Sequence, residues 1–350
     1  MSNLTSTTLT VGCDLSDKFS VLCLLHGDDR IERLRLRTTK AALGRYFAVL
    51  GSQAHVVIEV GPHSRWVAQL VRGHGHRVTV ANPRRLKVIS TSDSKDDWRD
   101  AELLARLGRA DLALLAPVTH RSDAAQSELS VLKARDVLVK TRTKLVNFVR
   151  AVVKATGDRI PKCAAEGFHR RTRLAVPEAL RPALDPIYTT LEALSAQIRE
   201  LEKTIEQLAA SDPDVAIVSQ IDGIGTLTAV AFMRTLGDKH RFRSSRTVGA
   251  FLGLRPRRNQ SGDDDPQLRI TKAGDGFVRC LLVNAANYIL GPFGKDTDLR
   301  RWGLGLAERG GKNARKRAKV AVARKLAVLM HRLWVTGEEY EPLRASPLAA

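Results

Sequence analysis

Two carboxylates at helical spacing are the first residues in this chain whose pattern could do chemistry. Asp97 and Asp100 stand three residues apart in a segment, Lys95 to Arg106, that is typical of the first turns of a helix. On a helix, this spacing places both side chains on one face, one turn apart. A divalent cation between them would offset their repulsion, because carboxylate oxygens suit Mg²⁺ or Mn²⁺. The alternative is a solvated first turn that the helix dipole favours.

Two further acidic residues end predicted strands upstream of that helix. Asp14 ends the strand predicted at residues 8–15, and Glu59 lies at the end of the buried strand predicted at residues 55–60. Sites in α/β sheets form at the carboxyl ends of adjacent strands, so we expect both side chains there, beside the helix start. Four converging carboxylates repel one another, but together they balance two Mg²⁺ ions. For each residue alone, a turn or cap role is the alternative.

The elements that must position these residues follow the order β-β-β-α-β-α-β and then the acidic helix. Strands are also predicted at residues 19–25, 31–37 and 77–81, and helices at residues 39–50 and 64–72. The first three strands predict a meander, and the apolar fourth predicts a buried parallel strand. This is the layout of the ribonuclease-H-like, RuvC-like nuclease fold, an α/β mixed sheet with flanking helices. Two metal ions about 4 Å apart there could activate a nucleophile and hold a scissile phosphate.

Two long helical patterns follow. The first covers residues 123–156 and has apolar residues that repeat by sevens. The second has the 4-3 spacing of a coiled-coil seam, formed by Ile187, Leu191, Leu194, Ile198, Leu201, Ile205 and Leu208. We expect the seam to pack between chains and contribute to oligomerisation, with a helical hairpin within the chain as the alternative.

The C-terminal part is mainly α-helical and contains a glycine-bracketed turn. Gly223-Ile224-Gly225 joins two short helices predicted within residues 215–237. This is the helix-hairpin-helix pattern, whose exposed amides at a helix N-terminus bind backbone phosphate without reading sequence. The alternative is an ordinary tight turn between helices that uses the same glycines.

Basic residues surround one serine and fill one later helix. Ser261-Gly262 lies near the centre of a polar loop, and the residues around it that could meet a phosphate are Arg255, Arg257, Arg258, Arg269 and Lys272. The next helix bears Arg279. From the residues alone, a turn serine is the favoured interpretation. After Gly310-Gly311, a basic amphipathic helix that suits a polyanion carries Lys312, Arg315, Lys316, Arg317 and Lys319.

The overall charge points to the same kind of partner. The 350-residue chain has a formal net charge of +20 and a pI near 10.3, which favours nucleic acid. No apolar run approaches the roughly 18 residues of a membrane span, and the polar N-terminus lacks the order of a signal peptide, so we expect a cytoplasmic protein. Neither the scattered cysteines nor His74-Gly75-His76 indicates a disulfide or zinc site.

Taken in order, these motifs resemble the transposases of the insertion-sequence one-ten family, which are bridge-RNA-guided DNA recombinases. The N-terminal part of the resemblance rests on Gly12-Cys13-Asp14, Ile58-Glu59-Val60-Gly61, Val80-Ala81-Asn82-Pro83 and Lys95-x-Asp97-x-x-Asp100-Ala101. The C-terminal part rests on Ile221-Asp222-Gly223-Ile224-Gly225, Gly253-Leu254-Arg255-Pro256, Ser261-Gly262 and the run from Arg269 to Asp275. Each motif is short, but the ordered set covers most of the chain.

The resemblance implies a domain plan and a chemistry. Residues 1–118 would be the RuvC-like domain with an acidic DEDD quartet, residues 119–212 the coiled-coil segment, and residues 213–350 the transposase domain with an essential serine. The quartet would be Asp14, Glu59, Asp97 and Asp100, and the serine Ser261. Ser261 would attack a DNA phosphate to form a 5′-phosphoserine link, assisted by Mg²⁺ on the quartet.

The resemblance also implies the partners. These are double-stranded donor and target DNA, a noncoding bridge RNA that pairs with both, and further copies of the chain in a tetramer whose active sites are composite. Such a protein would be associated with the nucleoid. Two features depart from the family pattern: Asp96 adds a carboxylate beside the second pair, and Asp263-Asp264-Asp265 follows Ser261-Gly262 directly. Ser244 and Ser245 are the alternative nucleophiles.

Two other functions remain open from the sequence. A RuvC-like junction endonuclease would use the same metal ions to activate water, and its serine would be incidental. A non-catalytic RNA- or DNA-binding scaffold would explain the positive charge and the glycine turn, but it has no use for four carboxylates. A covalent protein–DNA adduct separates recombinase from nuclease, and metal dependence separates both from the scaffold.

Overall fold

The computed structural model describes residues 9–51, 53–83, 96–266, 268–311 and 313–344. The chain divides into two compact units, residues 1–120 and residues 121–350. Within the described residues, no helix is both long enough and apolar enough to cross a membrane.

The N-terminal unit is built on one five-stranded mixed sheet in the order β3-β2-β1-β4-β5. Its strands are β1 (Thr10–Leu15), β2 (Phe19–Leu25), β3 (Ile31–Arg37), β4 (His55–Glu59) and β5 (Arg77–Ala81). The first three are antiparallel neighbours, and β4 and β5 continue the sheet in parallel with β1. The predicted meander and parallel strands are therefore confirmed, and the sheet is the mixed sheet of a ribonuclease-H-like fold.

Among the residues that the structure describes, three helices cover the two faces of this sheet. On one face lie α1 (Lys40–Val49) and α2 (Ser64–Gly73), whose buried residues, such as Phe47 and Val71, share a core with Val11, Cys13 and Ile58. On the other face lies α3 (Asp97–Ala110), which begins at the predicted acidic pair. Because side chains alternate along a strand, the two faces of β1 and β4 belong to different cores.

The C-terminal unit is helical. It begins with α4 (Asp123–Ala155), α5 (Phe168–Thr172) and α6 (Arg181–Ala210), and continues with α7 (Pro213–Ser219), α8 (Thr226–Leu236) and α9 (Arg246–Phe251). It ends with α10 (Gly276–Ile289), α11 (Asp298–Glu308) and α12 (Ala314–Thr336). Short 3₁₀ turns lie at Arg173–Ala175, Glu178–Leu180 and Lys239–Arg241. Most of the core lies between α8, α10 and α12, where Phe232, Leu282 and Leu326 are buried.

The two long helices pack against each other within the chain. Leu191, Ile198 and Ile205 of the predicted seam are buried, and Arg135 of α4 donates to Glu202 of α6 over 2.9 Å. Near the other end of the pair, Phe168 stacks on Tyr188 with ring centroids 5.8 Å apart. Of the two possibilities for the seam, the structure shows the helical hairpin within the chain.

Candidate functional site

The acidic helix lies directly on the central strand because Gly12 has no side chain. A Cβ at Gly12 would lie 1.9 Å from the carbonyl oxygen of Ala101 and 2.5 Å from the amide nitrogen of Ala105. Both residues belong to α3, so the helix backbone touches the backbone of β1. Asp100 immediately precedes Ala101, which brings the first turns of α3 close to the strand that carries Asp14.

The direction of α3 brings its N-terminus to the carboxyl ends of the strands. Near its C-terminus, a Cβ at Gly108 would lie 2.4 Å from Val57, and Arg109 donates to the carbonyl of His26 over 2.7 Å. These contacts lie toward the starts of β1 and β4. At the other end of α3, Trp98 packs on the cluster that contains Val21, the residue paired with Asp14. The helix therefore runs antiparallel to β1.

The strand register brings Asp14 and Glu59 to the same level. The parallel pairing of β1 with β4 runs from Thr10 and His55 to Cys13 and Ile58, and the two acidic residues come next on their strands. Because side chains alternate, both lie on the face that α3 covers. We call Asp14, Glu59, Asp97 and Asp100 the acidic edge. Asp97 is exposed, whereas the other three are half-buried and take part in polar or electrostatic interactions.

Asp96 has a structural role of its own. It is the N-cap of α3, and its carboxylate accepts a hydrogen bond from the amide of Trp98 over 3.1 Å. An N-cap aspartate satisfies an amide that the helix leaves without a partner. The extra carboxylate beside the second pair is therefore explained by capping, and Asp97 and Asp100 are the acidic residues of the first helical turn.

The donor set of the acidic edge fits a hard divalent cation. Four carboxylates supply the oxygen ligands that Mg²⁺ and Mn²⁺ prefer. Cys13, by contrast, lies on the opposite face of the sheet, where burial and then the charge of Asp14 raise the pKa of its thiol, so it stays protonated. In the described parts of the chain, no three His, Cys, Asp or Glu side chains are already grouped to hold a metal ion.

Sequence reasoning missed His63, which lies at the same end of the sheet. It precedes α2, four residues after Glu59, and its Nε2 lies 2.9 Å from the carboxylate of Asp17, three residues after Asp14. Trp66 donates its indole N–H to Nδ1 of His63 over 3.2 Å, so Nε2 carries the proton that faces Asp17. The pair joins the loops that follow β1 and β4, and no sequence spacing connects residues 46 positions apart.

In the C-terminal unit, Ser261 lies at the tip of a hairpin. Pro256 pairs with Ile270, and Arg257 donates its amide to the carbonyl of Arg269 over 2.9 Å. At the tip, Ser261 and Asp264 exchange two backbone hydrogen bonds of 3.1 Å, and Gly262 takes a positive φ of 56°. We call residues 255–266 and 268–271 the serine hairpin. Ser261 is exposed, and its hydroxyl has no hydrogen bond to the part of the chain that the structure describes.

Two glycines fix the base of the serine hairpin. A Cβ at Gly253 would lie 2.0 Å from the carbonyl of Ala273, and one at Gly274 would lie 2.1 Å from the carbonyl of Phe251. Asp275 then caps α10 through the amides of Phe277 and Val278. Burial acts to raise the pKa of Asp275, but Lys133, 3.2 Å away, and these amides hold the pKa below its usual value.

The alternative serines have different surroundings. The hydroxyl of Ser245 is 2.9 Å from Nδ1 of His331, whose Nε2 lies 3.0 Å from the carbonyl of Lys239. Burial lowers the pKa of His331, so the ring is neutral and can accept the proton of Ser245. Ser245 is half-buried in this contact, whereas Ser244 is exposed. Of the two alternative nucleophiles, Ser245 is therefore the better candidate, because a neutral histidine lies beside its hydroxyl.

The residues predicted to contact nucleic acid differ in their exposure and in their partners within the chain. The exposed side chains are Arg255, Arg257, Arg258, Arg269, Lys272, Arg315, Lys316 and Arg317, and Lys319 is half-buried. Arg258 lies 3.3 Å from Asp265, so the acidic run after Ser261 holds one arginine of its own hairpin. Arg279 donates to the carbonyls of Leu252 and Ala273 and so braces the hairpin base. Lys312 lies outside the described residues.

The predicted glycine turn is present between two helices. Gly223 has a φ of 89°, and Gly225 is the N-cap of α8, whose carbonyl accepts the amide of Thr228 over 2.9 Å. The first amides of α8 therefore begin directly after the turn. Such amides, with the positive end of the helix dipole, form the phosphate-binding element of the helix-hairpin-helix pattern.

The sheet order and the positions of the acidic edge are those expected of a DEDD-type transposase domain, and comparison with known proteins identifies such a domain. Residues 11–157 match the family model for the DEDD transposase of IS110 elements, and residues 215–294 match the model described as the transposase IS116/IS110/IS902 family. The chain belongs to this family of insertion-sequence transposases, and it is a DNA-processing enzyme. A DEDD domain also indicates a requirement for a divalent metal.

Three relatives illustrate the match. The transposase for insertion sequence element IS1111A of Coxiella burnetii is 31% identical over 81% of this chain and 79% of its own length. The transposase for insertion sequence element IS1328 of Yersinia enterocolitica is 30% identical over 79% of this chain and 82% of its own. A pilin gene-inverting protein of Moraxella lacunata is 25% identical over 80% of each chain.

Proposed function

We propose that this transposase cuts and rejoins donor and target DNA through a covalent bond between Ser261 and a 5′-phosphate, guided by a bridge RNA. The observation that carries the proposal is the pairing, in one chain, of an acidic edge at the carboxyl ends of β1 and β4 with an exposed serine at the tip of a braced hairpin. The similarity to a pilin gene-inverting protein supports rejoining as well as cutting, because an inversion must reseal every strand that it cuts.

The acidic edge would hold the metal ions. Asp14, Glu59, Asp97 and Asp100 would be the ligands, with Mg²⁺ as the expected ion and Mn²⁺ as a substitute. When bound, such ions polarise a phosphate and neutralise the charge that develops on it. In the chain itself, Gly12 and the Asp96 cap would serve to keep α3 at the distance from β1 that this ligand set requires.

Ser261 would supply the nucleophile. Its hydroxyl oxygen would attack the phosphorus, the bond from phosphorus to the 3′-oxygen would break, and the serine proton would end on that oxygen as a free 3′-OH. A 3′-OH from another strand would then attack the phosphoserine, which restores the serine hydroxyl. Because each step exchanges one phosphodiester for another, the strands could be resealed without hydrolysis.

Basic residues would position the nucleic acids. Arg255, Arg257, Arg258 and Arg269 of the serine hairpin, and Lys272 directly after it, would hold the DNA phosphates next to Ser261. The amides after Gly223 and Gly225, and the side chains of Arg315, Lys316, Arg317 and Lys319, would hold backbone elsewhere, with Lys312 as a further contact. Arg279 would act indirectly, by bracing the base of the serine hairpin. Sequence would be read by the bridge RNA through base pairing. Four chains would assemble into a tetramer with composite sites, in the bacterial cytoplasm near the nucleoid.

A strand-exchange reaction with purified full-length protein tests this proposal. Labelled donor and target DNA are incubated with the RNA transcribed from the element's flanks and with Mg²⁺, and the joined products are separated from nicked ones. We expect joined DNA with the wild type, and none with Ser261→Ala or Glu59→Gln. Glu102→Gln is the matched control, because Glu102 lies on α3 outside the acidic edge and its carboxylate pairs with Arg33 and Arg106, whose side chains are about half exposed.

The product pattern decides between the candidate functions. Nicked DNA without joined product, unchanged in Ser261→Ala, would mean that water is the nucleophile and that the chain is a nuclease. Binding without any metal-dependent cleavage would leave only a scaffold. Joined product that is lost in Ser245→Ala but retained in Ser261→Ala would identify Ser245, beside His331, as the nucleophile.

A further inference from the structure

A groove in the C-terminal unit shares no lining residue with the serine hairpin. It has a volume of about 730 Å³ and lies between the end of α10, the loop that follows it, and helices α11 and α12. Its lining combines two aromatic rings, two amides and two basic side chains: Tyr288, Phe293, Asn284, Asn287, Arg315 and Lys319. We call it the aromatic groove.

The two rings are unusually exposed for aromatic side chains. Tyr288 is 46% exposed and Phe293 80% exposed. A single exposed apolar residue is ordinary, but two rings that line one groove mark a surface that a partner covers. Neither ring is needed to close the core of this unit, where Phe232 and Leu282 are fully buried.

The loop that presents Phe293 is held tightly. Arg300 donates to the carbonyl of Ile289 and, over 2.6 Å, to that of Gly291. A Cβ at Gly294 would lie 2.1 Å from the carbonyl of Ile289, so the loop backbone lies directly against the end of α10. The exposed position of Phe293 is therefore built into the fold. Because the loop backbone is already ordered, a flat partner that stacks on Phe293 does not have to order the loop as well.

Charge indicates what the partner is. Arg315 and Lys319 line the groove, Lys316 and Arg317 continue the positive charge on the same helix, and Glu308 is the acidic residue in the lining. An apolar peptide, or an apolar face of a second copy, would leave the basic side chains of Arg315 and Lys319 unused. A polyanion with flat, stackable groups satisfies both the rings and the charges, and single-stranded nucleic acid has this chemistry.

The groove also adjoins the glycine turn. The ring of Tyr288 lies so close to Gly223 that a Cβ there would be 3.0 Å from Cδ1 of the ring. Lys295, from the same loop as Phe293, lies 2.8 Å from Asp222, the residue before Gly223. A strand whose phosphate binds the amides that follow this turn could therefore place its next bases on Tyr288 and Phe293.

We propose that the aromatic groove binds one or two unpaired nucleotides of a single strand. Their bases stack on Tyr288 and Phe293, their phosphates meet Arg315 and Lys319, and Asn284 and Asn287 offer hydrogen bonds to base edges. The inference rests on the proposed function, because a recombinase that exchanges strands and pairs RNA with DNA produces unpaired segments. It adds a site for such a segment that the serine chemistry does not require.

Binding of labelled oligonucleotides by the full-length protein tests the groove. The probes are single strands of RNA and of DNA, about 12 nucleotides long, and an abasic strand of the same length. We expect Phe293→Ala and Tyr288→Ala each to weaken binding of the base-containing strands about 10-fold and to leave the abasic strand unchanged. Tyr288→Phe should bind as wild type. Phe148→Ala is the matched control, because Phe148 is 51% exposed on α4, outside the groove.

Each result decides for or against the groove. A stronger effect with RNA would identify a guide segment as the occupant, and a stronger effect with DNA a displaced strand. Unchanged affinity in both alanine variants, or no binding by the wild type, would overturn the inference, as would a change of oligomeric state without a change in strand binding. Strand exchange by these variants separates the two proposals. If Phe293→Ala and Tyr288→Ala exchange strands and bind oligonucleotides like the wild type, the groove alone is refuted. If both variants bind single strands more weakly but even the wild type exchanges no strands, the serine chemistry alone is refuted.

Discussion

Replacing Gly12 by alanine tests most sharply how the fold positions the acidic edge. The added Cβ would lie 1.9 Å from the carbonyl oxygen of Ala101, whereas real Cβ atoms essentially never come closer than 3.0 Å. The obstacle is helix backbone and cannot rotate away, so α3 must move from β1 by about 1.1 Å, the difference between the two distances. Asp97 and Asp100 would move with it, while Asp14 and Glu59 stay on the sheet.

A displacement of this size has a large expected effect on rate. A misplacement of about 1 Å in a catalytic constellation costs about 100-fold, so we expect Gly12→Ala to slow metal-dependent cleavage by about that factor. The overpacking itself should cost about 1–3 kcal/mol, which a domain of ordinary stability survives. Cleavage rates under single-turnover conditions, beside circular dichroism and thermal unfolding, separate lost chemistry from lost fold.

Two further glycines provide matched controls. A Cβ at Gly44 would meet atoms no closer than 3.7 Å, so Gly44→Ala should leave both rate and stability near wild type. A Cβ at Gly108 would meet a methyl group of Val57 at 2.4 Å, at the end of α3 far from its acidic residues, so Gly108→Ala should cost more stability than rate. A folded Gly12→Ala protein that cleaves within about threefold of wild type would refute the idea that this contact sets the ligand geometry.

Three more predictions follow from contacts in the structure. Asp96→Ala should lower the free energy of unfolding by about 1 kcal/mol and slow cleavage, whereas Asp96→Asn should keep both the helix cap and the activity. Equal losses of activity in the two variants would identify Asp96 as a metal ligand. Gly274→Ala should lower the free energy of unfolding by about 2–4 kcal/mol, measured by chemical unfolding, because Gly274 has a positive φ and a close backbone contact. Gly276→Ala should leave it nearly unchanged, and similar values for the two variants would contradict this packing. Burial and then Arg77 lower the pKa of His55 to about 4 from 6.5. The unfolded chain therefore binds this proton more tightly than the folded protein, so the free energy of unfolding should be at its full value above pH 6.5 and fall by up to about 3 kcal/mol toward pH 4. The pH slope in urea unfolding should flatten in His55→Gln, and an unchanged slope would refute the assignment.

The α/β half of the fold follows from local patterns in the sequence. Short β-branched runs such as residues 55–59, and the alternation in residues 31–37, predict strands from local sequence alone. The spacing of Asp97 and Asp100 likewise specifies a shared helix face. The acidic edge could therefore be predicted as a set, because the topology of an α/β sheet gathers strand ends.

Other features depend on contacts that sequence spacing does not encode. The seam from Ile187 to Leu208 suits an intrachain or an interchain partner equally, and only the packing of α4 on α6 distinguishes them. The pair of His63 with Asp17 joins two loops that no motif connects. The aromatic groove requires the positions of Tyr288 and Phe293 relative to α12, and in the sequence these residues look like ordinary core aromatics.

The most direct test of the central claim is to locate the covalent bond. Wild-type protein is incubated with labelled DNA, RNA and Mg²⁺, denatured and digested, and the peptides that retain a nucleotide are identified by mass spectrometry. We predict a 5′-phosphate ester on Ser261, which is absent from Ser261→Ala and from reactions without a divalent metal, and present in Ser245→Ala. Cleaved DNA with no attached peptide, or an ester on Ser245, would contradict the account.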